Sequence, residues 1–158
     1  MDQAAFLEPD YYGHRAFHAN LMRVTGDWAG AEAHLQESLA LQPDNSSLWH
    51  SLSMLRTSQE RWGEARDAML KAAGFREVLR VPALMAIEKA DDPGAVLDQY
   101  EAWKRRGPVA EGVSYQAALS RFRAKDLLGC VLILEESNLV VSQPYRDRAE
   151  DLMARCSR

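Results

Sequence analysis

The chain has 158 residues, 47% hydrophobic and 27% charged, enough for one globular domain that buries a core. Its net charge of −4, from 19 basic and 23 acidic residues, argues against nucleic acid as the main partner. The absence of any run of about 18 apolar residues excludes a helical membrane span.

Helical periodicity runs through most of the chain, and no alternating strand pattern persists. The segment Met1–Glu8 has neither a basic start nor a long apolar stretch, so no signal peptide is expected and a cytoplasmic address is the default. A first helix is expected near 10–24, behind Pro9-Asp10. Thr25-Gly26-Asp27 should end it and cap a second helix near 28–41. Pro43-Asp44-Asn45-Ser46 should open a third over 46–59, with a fourth following over 62–73 and a fifth over 76–90. Asp91-Asp92-Pro93 reads as a cap with proline at the first helical position of a sixth, over 93–106. Arg106-Gly107-Pro108 separates that from a seventh over 109–124. The eighth is expected over 127–138, where Val131-Leu132-Ile133-Leu134 has strand propensity but no second strand to pair with. A ninth should run over 143–156 behind Ser142-Gln143-Pro144. Short connections between these segments imply antiparallel neighbours throughout.

Shifting the chain on itself by 34 residues pairs Trp28 with Trp62, Ala31 with Ala65, Leu35 with Met69 and Leu39 with Ala73. The same shift pairs His18 with Leu52, Ala19 with Ser53 and Leu21 with Leu55. Alanines in that register let two helices approach closely, where a larger side chain would force them apart. A 34-residue period carried by two helices resembles the tetratricopeptide repeat family. Trp49, Leu52, Ser53, Ala65 and Met69 match its signature in one unit; Ala19, Ala31, Leu35 and Pro43 match in the unit before, where Arg15 and His18 depart from it.

The resemblance implies an all-α, right-handed superhelix of antiparallel hairpins, in one domain over 1–158. Its repeats would cover 12–45 and 46–75, followed by degenerate repeats over 76–108 and 109–142. Ala95 with Tyr100 and Trp103 marks the third unit, while Ala117, Ala118, Cys130 and Leu134 mark the fourth. The segment 143–158 would be a capping helix, with Tyr145, Ala149, Leu152 and Met153 on its apolar side.

The family binds peptides on the first helix of each hairpin, and this implies a groove. Its lining would be Ala16, Asn20 and Arg23, then His50, Met54 and Thr57. A looser alignment adds Arg80, Leu84 and Ile87, then Tyr115, Leu119 and Phe122. The carboxylate clamp of chaperone-binding relatives is not matched, since Ala16 stands in place of a lysine and Ser51 in place of an asparagine.

Catalytic signatures are absent. No glycine-rich phosphate loop and no Gly-x-Ser-x-Gly occurs, and adjacent carboxylates such as Glu135-Glu136 diverge by about 100° on a helix. His14 and His18 have metal-ligand spacing and His34 follows, but nothing completes a zinc site, so a metal-dependent enzyme is the weakest reading and no cofactor is expected. With Cys130 and Cys156 as the two cysteines, neither a disulfide framework nor a zinc knuckle is expected, and Cys130 should be an inert packing residue. The expected function is therefore non-catalytic. The chain would bind a peptide or helix of another protein as an adaptor or as an assembly or secretion chaperone of bacterial type. The other reading is a structural subunit that forms a homodimer or polymer through its outer face.

Overall fold

The computed structural model describes residues 24–90, 93–137 and 145–157. Among these residues the protein is all-helical, with eight α-helices and no strand. They are α1 (Trp28–Leu41), α2 (Ser46–Ser58), α3 (Trp62–Phe75), α4 (Arg80–Ala90), α5 (Pro93–Lys104), α6 (Glu111–Arg123), α7 (Leu127–Glu136) and α8 (Arg146–Cys156). The helix expected near 10–24 lies almost wholly outside the described residues, as do Asp91 and Asp92.

The largest departure from expectation falls at 76–90. There a short 3-10 turn, Glu77–Leu79, precedes α4, which starts at Arg80. Pro82 is the reason. Proline has no N–H and its ring clashes with the carbonyl four residues back, so Pro82 is accommodated only in a helix's first turn. The helix must therefore begin just before it.

The chain divides into two compact units, Met1–Leu79 and Arg80–Arg158. In the first, α2 packs against both α1 and α3. Ala31, Leu35 and Leu39 of α1 meet Leu48, Leu52 and Leu55 of α2 and Ala68 of α3, with Trp28 and Trp49 packed at the edge. In the second, α6 is the central helix, touching α4, α5, α7 and α8, and α8 also packs on α7.

The turns carry the repeat. Gly26 (φ 89°), Glu60 (φ 59°) and Lys125 (φ 62°) hold left-handed backbone just ahead of α1, α3 and α7. Gly26 adopts it without cost, while Glu60 and Lys125 do so under the constraint of the turn. Asp27 and Asp126 follow and cap their helices, accepting from the N–H of Gly30 at 3.0 Å and of Gly129 at 2.9 Å. A Cβ at Gly30 or Gly129 would press on that capping carboxylate. Five residues beyond each left-handed position stand Ala31, Ala65 and Cys130, all buried. In α5 the buried residue of this register is Val96 rather than Ala95, which is half-buried. Val96 and Tyr100 thus repeat the buried pairs Ala31–Leu35, Ala65–Met69 and Cys130–Leu134.

One cysteine expectation is corrected. Cys130 and Cys156 are joined by a disulfide with a Cα–Cα distance of 6.6 Å. On α8, Ala149, Leu152 and Cys156 fall on one stripe, and its packing on α7 brings Cys156 to Cys130. Cys130 is a small buried residue, as its register requires, but it is not a free one.

Candidate functional site

The α2 helix turns three kinds of residue in three directions. Leu48, Leu52 and Leu55 are buried. Ser53 faces α3, and its hydroxyl donates to the Ala65 carbonyl at 2.8 Å. The remaining stripe is open: Met54 is 43% exposed, and His50 and Thr57 are half-buried on either side of it. Asn45 caps this helix from its start, accepting from Ser47 and Leu48. A methionine so placed is a flexible, polarizable contact held on a rigid backbone.

Trp49, on the flank, is fully committed elsewhere. Its indole N–H donates to the Pro43 carbonyl at 2.7 Å, and the Lys71 ammonium lies 4.2 Å from the ring centroid.

The far end of the same hairpins is tied by charge. Glu32 of α1 accepts from Arg56 Nε at 3.1 Å and from Arg61 Nη1 at 2.5 Å. Arg61 also grips Glu64 through two parallel bonds of 2.7 and 2.6 Å. Partial burial pushes the Glu32 carboxyl up, but the hydrogen bonds and charges of Arg61 and Arg56 outweigh it and hold the group below the ordinary carboxylate value. Glu64 is lowered by its hydrogen bonds to Arg61, and Arg61 is raised in return. The network links α1, α2 and the first turn of α3.

In the second unit the corresponding helix is α6, where Tyr115, Leu119 and Phe122 stand at the same distances before Lys125 as His50, Met54 and Thr57 before Glu60. That face is largely covered. The Tyr115 ring lies 5.6 Å from the Tyr145 ring, and the Arg155 guanidinium sits 4.6 Å from the Phe122 centroid. A Cβ at Gly112 would collide with the Tyr145 hydroxyl, so Tyr145 is seated directly on the α6 backbone. Helix α8 packs on α7 and touches α6. Leu119, between the two contacts, is half-buried.

Other expected lining residues are placed differently. Leu84 is wholly buried and Ile87 nearly so, which makes both core residues of the second unit rather than lining. Arg80 lies with its guanidinium 5.5 Å from the Trp103 centroid, an internal contact between α4 and α5. Asn20 and Arg23, like Ala16, His14 and His18, lie outside the described residues. Among the described residues no three histidine, cysteine or acidic side chains converge on a metal position. No described helix is long and apolar enough to cross a membrane.

A cavity of about 230 Å³ opens beside Tyr100, Lys104 and Ser114. Tyr100 and Ser114 share a hydrogen bond of 3.2 Å between their hydroxyls, and Lys104 is paired with Glu136. That pairing raises the Lys104 ammonium above its ordinary value, which suits an ion pair and not a proton-accepting amine.

A crystal structure of a tetratricopeptide repeat protein from Parabacteroides merdae superposes with a TM-score of 0.57 at 7% identity, over 96% of this chain. The fold is tetratricopeptide-like. The chain spans 59% of the length of that protein. A second structure, of YrrB, a TPR protein with an unusual peptide-binding site, matches at a TM-score of 0.41 and 14% identity, over 87% of this chain and 90% of that one. At that distance the overlap says nothing about this chain's own surface. No family profile and no curated protein matches the sequence.

The shared architecture accounts for the hairpins of both units and for the small buried residues at 31, 65 and 130. It does not account for the apolar residues that α7 leaves in the open, Leu128 at 72% exposure and Leu132 at 49%. Sequence reasoning passed over these two. Their signal is the charge-free run Leu127 to Leu134, longer than one buried face of a helix needs.

Proposed function

We propose that the protein is a non-catalytic module that binds another protein, and that the working surface is the open face of α2 in the first unit. Met54 is the anchor of that surface, with His50 and Thr57 beside it. One observation carries this reading: Leu48, Leu52 and Leu55 of α2 are buried, yet Met54 of the same helix is a large apolar side chain left 43% exposed. An apolar residue of a partner covering Met54 would gain roughly 1.5–3 kcal/mol from burial, and the hydrogen-bonding groups of His50 and Thr57 would fix its orientation. By the 34-residue register, Asn20 and Arg23 correspond to Met54 and Thr57, so they would extend the surface. An extended or helical peptide segment fits such a stripe. Such a surface suits an adaptor, or a chaperone holding a segment of an assembly or secretion substrate.

The test is Met54→Glu. Proteins retained from native cells by the immobilised wild-type chain would be compared with those retained by the variant. Loss of a retained protein with an unchanged melting temperature supports the reading, because a glutamate here faces water in the free protein but would be desolvated unpaired in the complex. Identical sets of retained proteins would sink it. Leu119→Glu is a poorer probe, since Leu119 is half-buried and the change would also strain the fold.

A further inference from the structure

The α7 helix buries one side and leaves an apolar side uncovered. Cys130, Ile133 and Leu134 face inward. On the opposite side Leu128 and Leu132 are exposed and Val131 is half-buried. No charge interrupts the helix from Leu127 to Leu134.

The ends of this stripe carry opposite charges. Lys125 stands in the left-handed turn two residues ahead of α7, and Leu128, Leu132 and Glu135 follow on the helix at spacings of four and three, which places those three on one face. Lys125 and Glu135 are both exposed, and neither forms an ion pair within the described residues. Their order is the reverse of what α7 itself would favour. A cation near the amino end and a carboxylate in the last turn both oppose the helix dipole. The capping role at the start is already filled by Asp126, and Lys104 is paired with the neighbouring Glu136. The stability of α7 therefore gives no reason for this arrangement, whereas a partner of matching charge does.

We propose that the exposed face of α7 pairs with the same face of a second copy of this chain, antiparallel about a two-fold axis. In that pairing Lys125 of each copy meets Glu135 of the other, and Leu128 and Leu132 interleave between them. A two-fold axis makes the contact self-complementary, so one stripe with a cation at one end and a carboxylate at the other suffices for both sides. Parallel pairing would set lysine against lysine. A face of ten residues falls short of the roughly 1,200 Å² buried by stable interfaces, so the dimer should be weak and form only as concentration rises through the micromolar range.

Sedimentation equilibrium on the full chain tests this. The wild type should move from monomer toward dimer mass as concentration rises. Leu128→Glu should remain monomeric with an unchanged circular-dichroism spectrum, because the residue faces water in the monomer. Lys125→Glu and Glu135→Lys should each weaken self-association at least tenfold. An equimolar mixture of those two variants should regain the dimer, since Glu at 125 then meets Lys at 135 and Glu135 meets Lys125. A wild type that stays monomeric throughout overturns the proposal. So does a dimer that survives Leu128→Glu, or a mixture that associates no better than its components.

Discussion

Ser53 of α2 donates its hydroxyl proton to the carbonyl oxygen of Ala65 in α3, 2.8 Å away, and both residues are buried. A side-chain oxygen can bond the backbone of a neighbouring helix only when the two helices lie very close. The bond and the alanine are therefore one feature: Ala65 permits the approach, and Ser53 uses it. Ala65→Leu should cost about 1–3 kcal/mol by overpacking. Ala31→Leu should cost the same at the equivalent position, where Ala31 is also fully buried. Thermal melts of the two variants check this, and unchanged midpoints for both would contradict the close packing of these hairpins.

The charge network around Glu32 makes a pH-dependent contribution. Its carboxyl is held below the ordinary value of 4.5 in the folded chain. The stabilisation is thus complete above the unfolded value, and it is lost as pH falls through the lower folded one. Glu32→Gln should destabilise the protein by about 1 kcal/mol near neutral pH, allowing for solvent screening of a partly open network. Melting curves of the wild type and the variant should converge as pH falls below the ordinary carboxylate value and through the lower folded one. A gap between them that stays constant on acidification would show that Glu32 acts by packing and not by charge.

The disulfide ties α8 to the rest of the second unit. Cys130 and Cys156 are 26 residues apart, and closing a loop of that length in the unfolded chain is worth about 3.5 kcal/mol. Reduction, or Cys156→Ser, should lower the melting temperature and leave most of the helical signal in place. Before reduction, the denatured protein should titrate no free thiols. Two reactive thiols in that state would show that the pair is not bonded. Rapid alkylation in native cells then reads the compartment, because a reducing cytoplasm keeps such pairs open while an oxidising one closes them.

Helix positions were legible wherever local chemistry alone decides them. The α1 helix occupies the expected 28–41, and α2 departs from expectation by one residue, because Asp27 and Asn45 cap their helices from within the same stretch of chain. The start of α4 was equally readable from Pro82, though periodicity alone carried the expected helix back to 76. The displaced register in α5, where Val96 takes the buried place, was not readable. Ala95 and Val96 are both small and apolar, and only the packed neighbours choose between them. The candidate surface divides the same way. Met54, Leu84 and Leu119 look alike in a repeat alignment, yet one is open, one is core and one is half-buried.

The amino-acid sequence by itself determined the all-helical class, the 34-residue hairpin period and the small residues where paired helices touch, because caps, prolines and alanines act over a single turn or a single contact. Tertiary structure alone decided that α8 closes over α6, that Cys156 reaches Cys130, and that Met54 and Leu128 stay exposed while Leu84 does not. Burial is a property of what comes to lie against a side chain from distant parts of the chain, and no local pattern of residues carries that information.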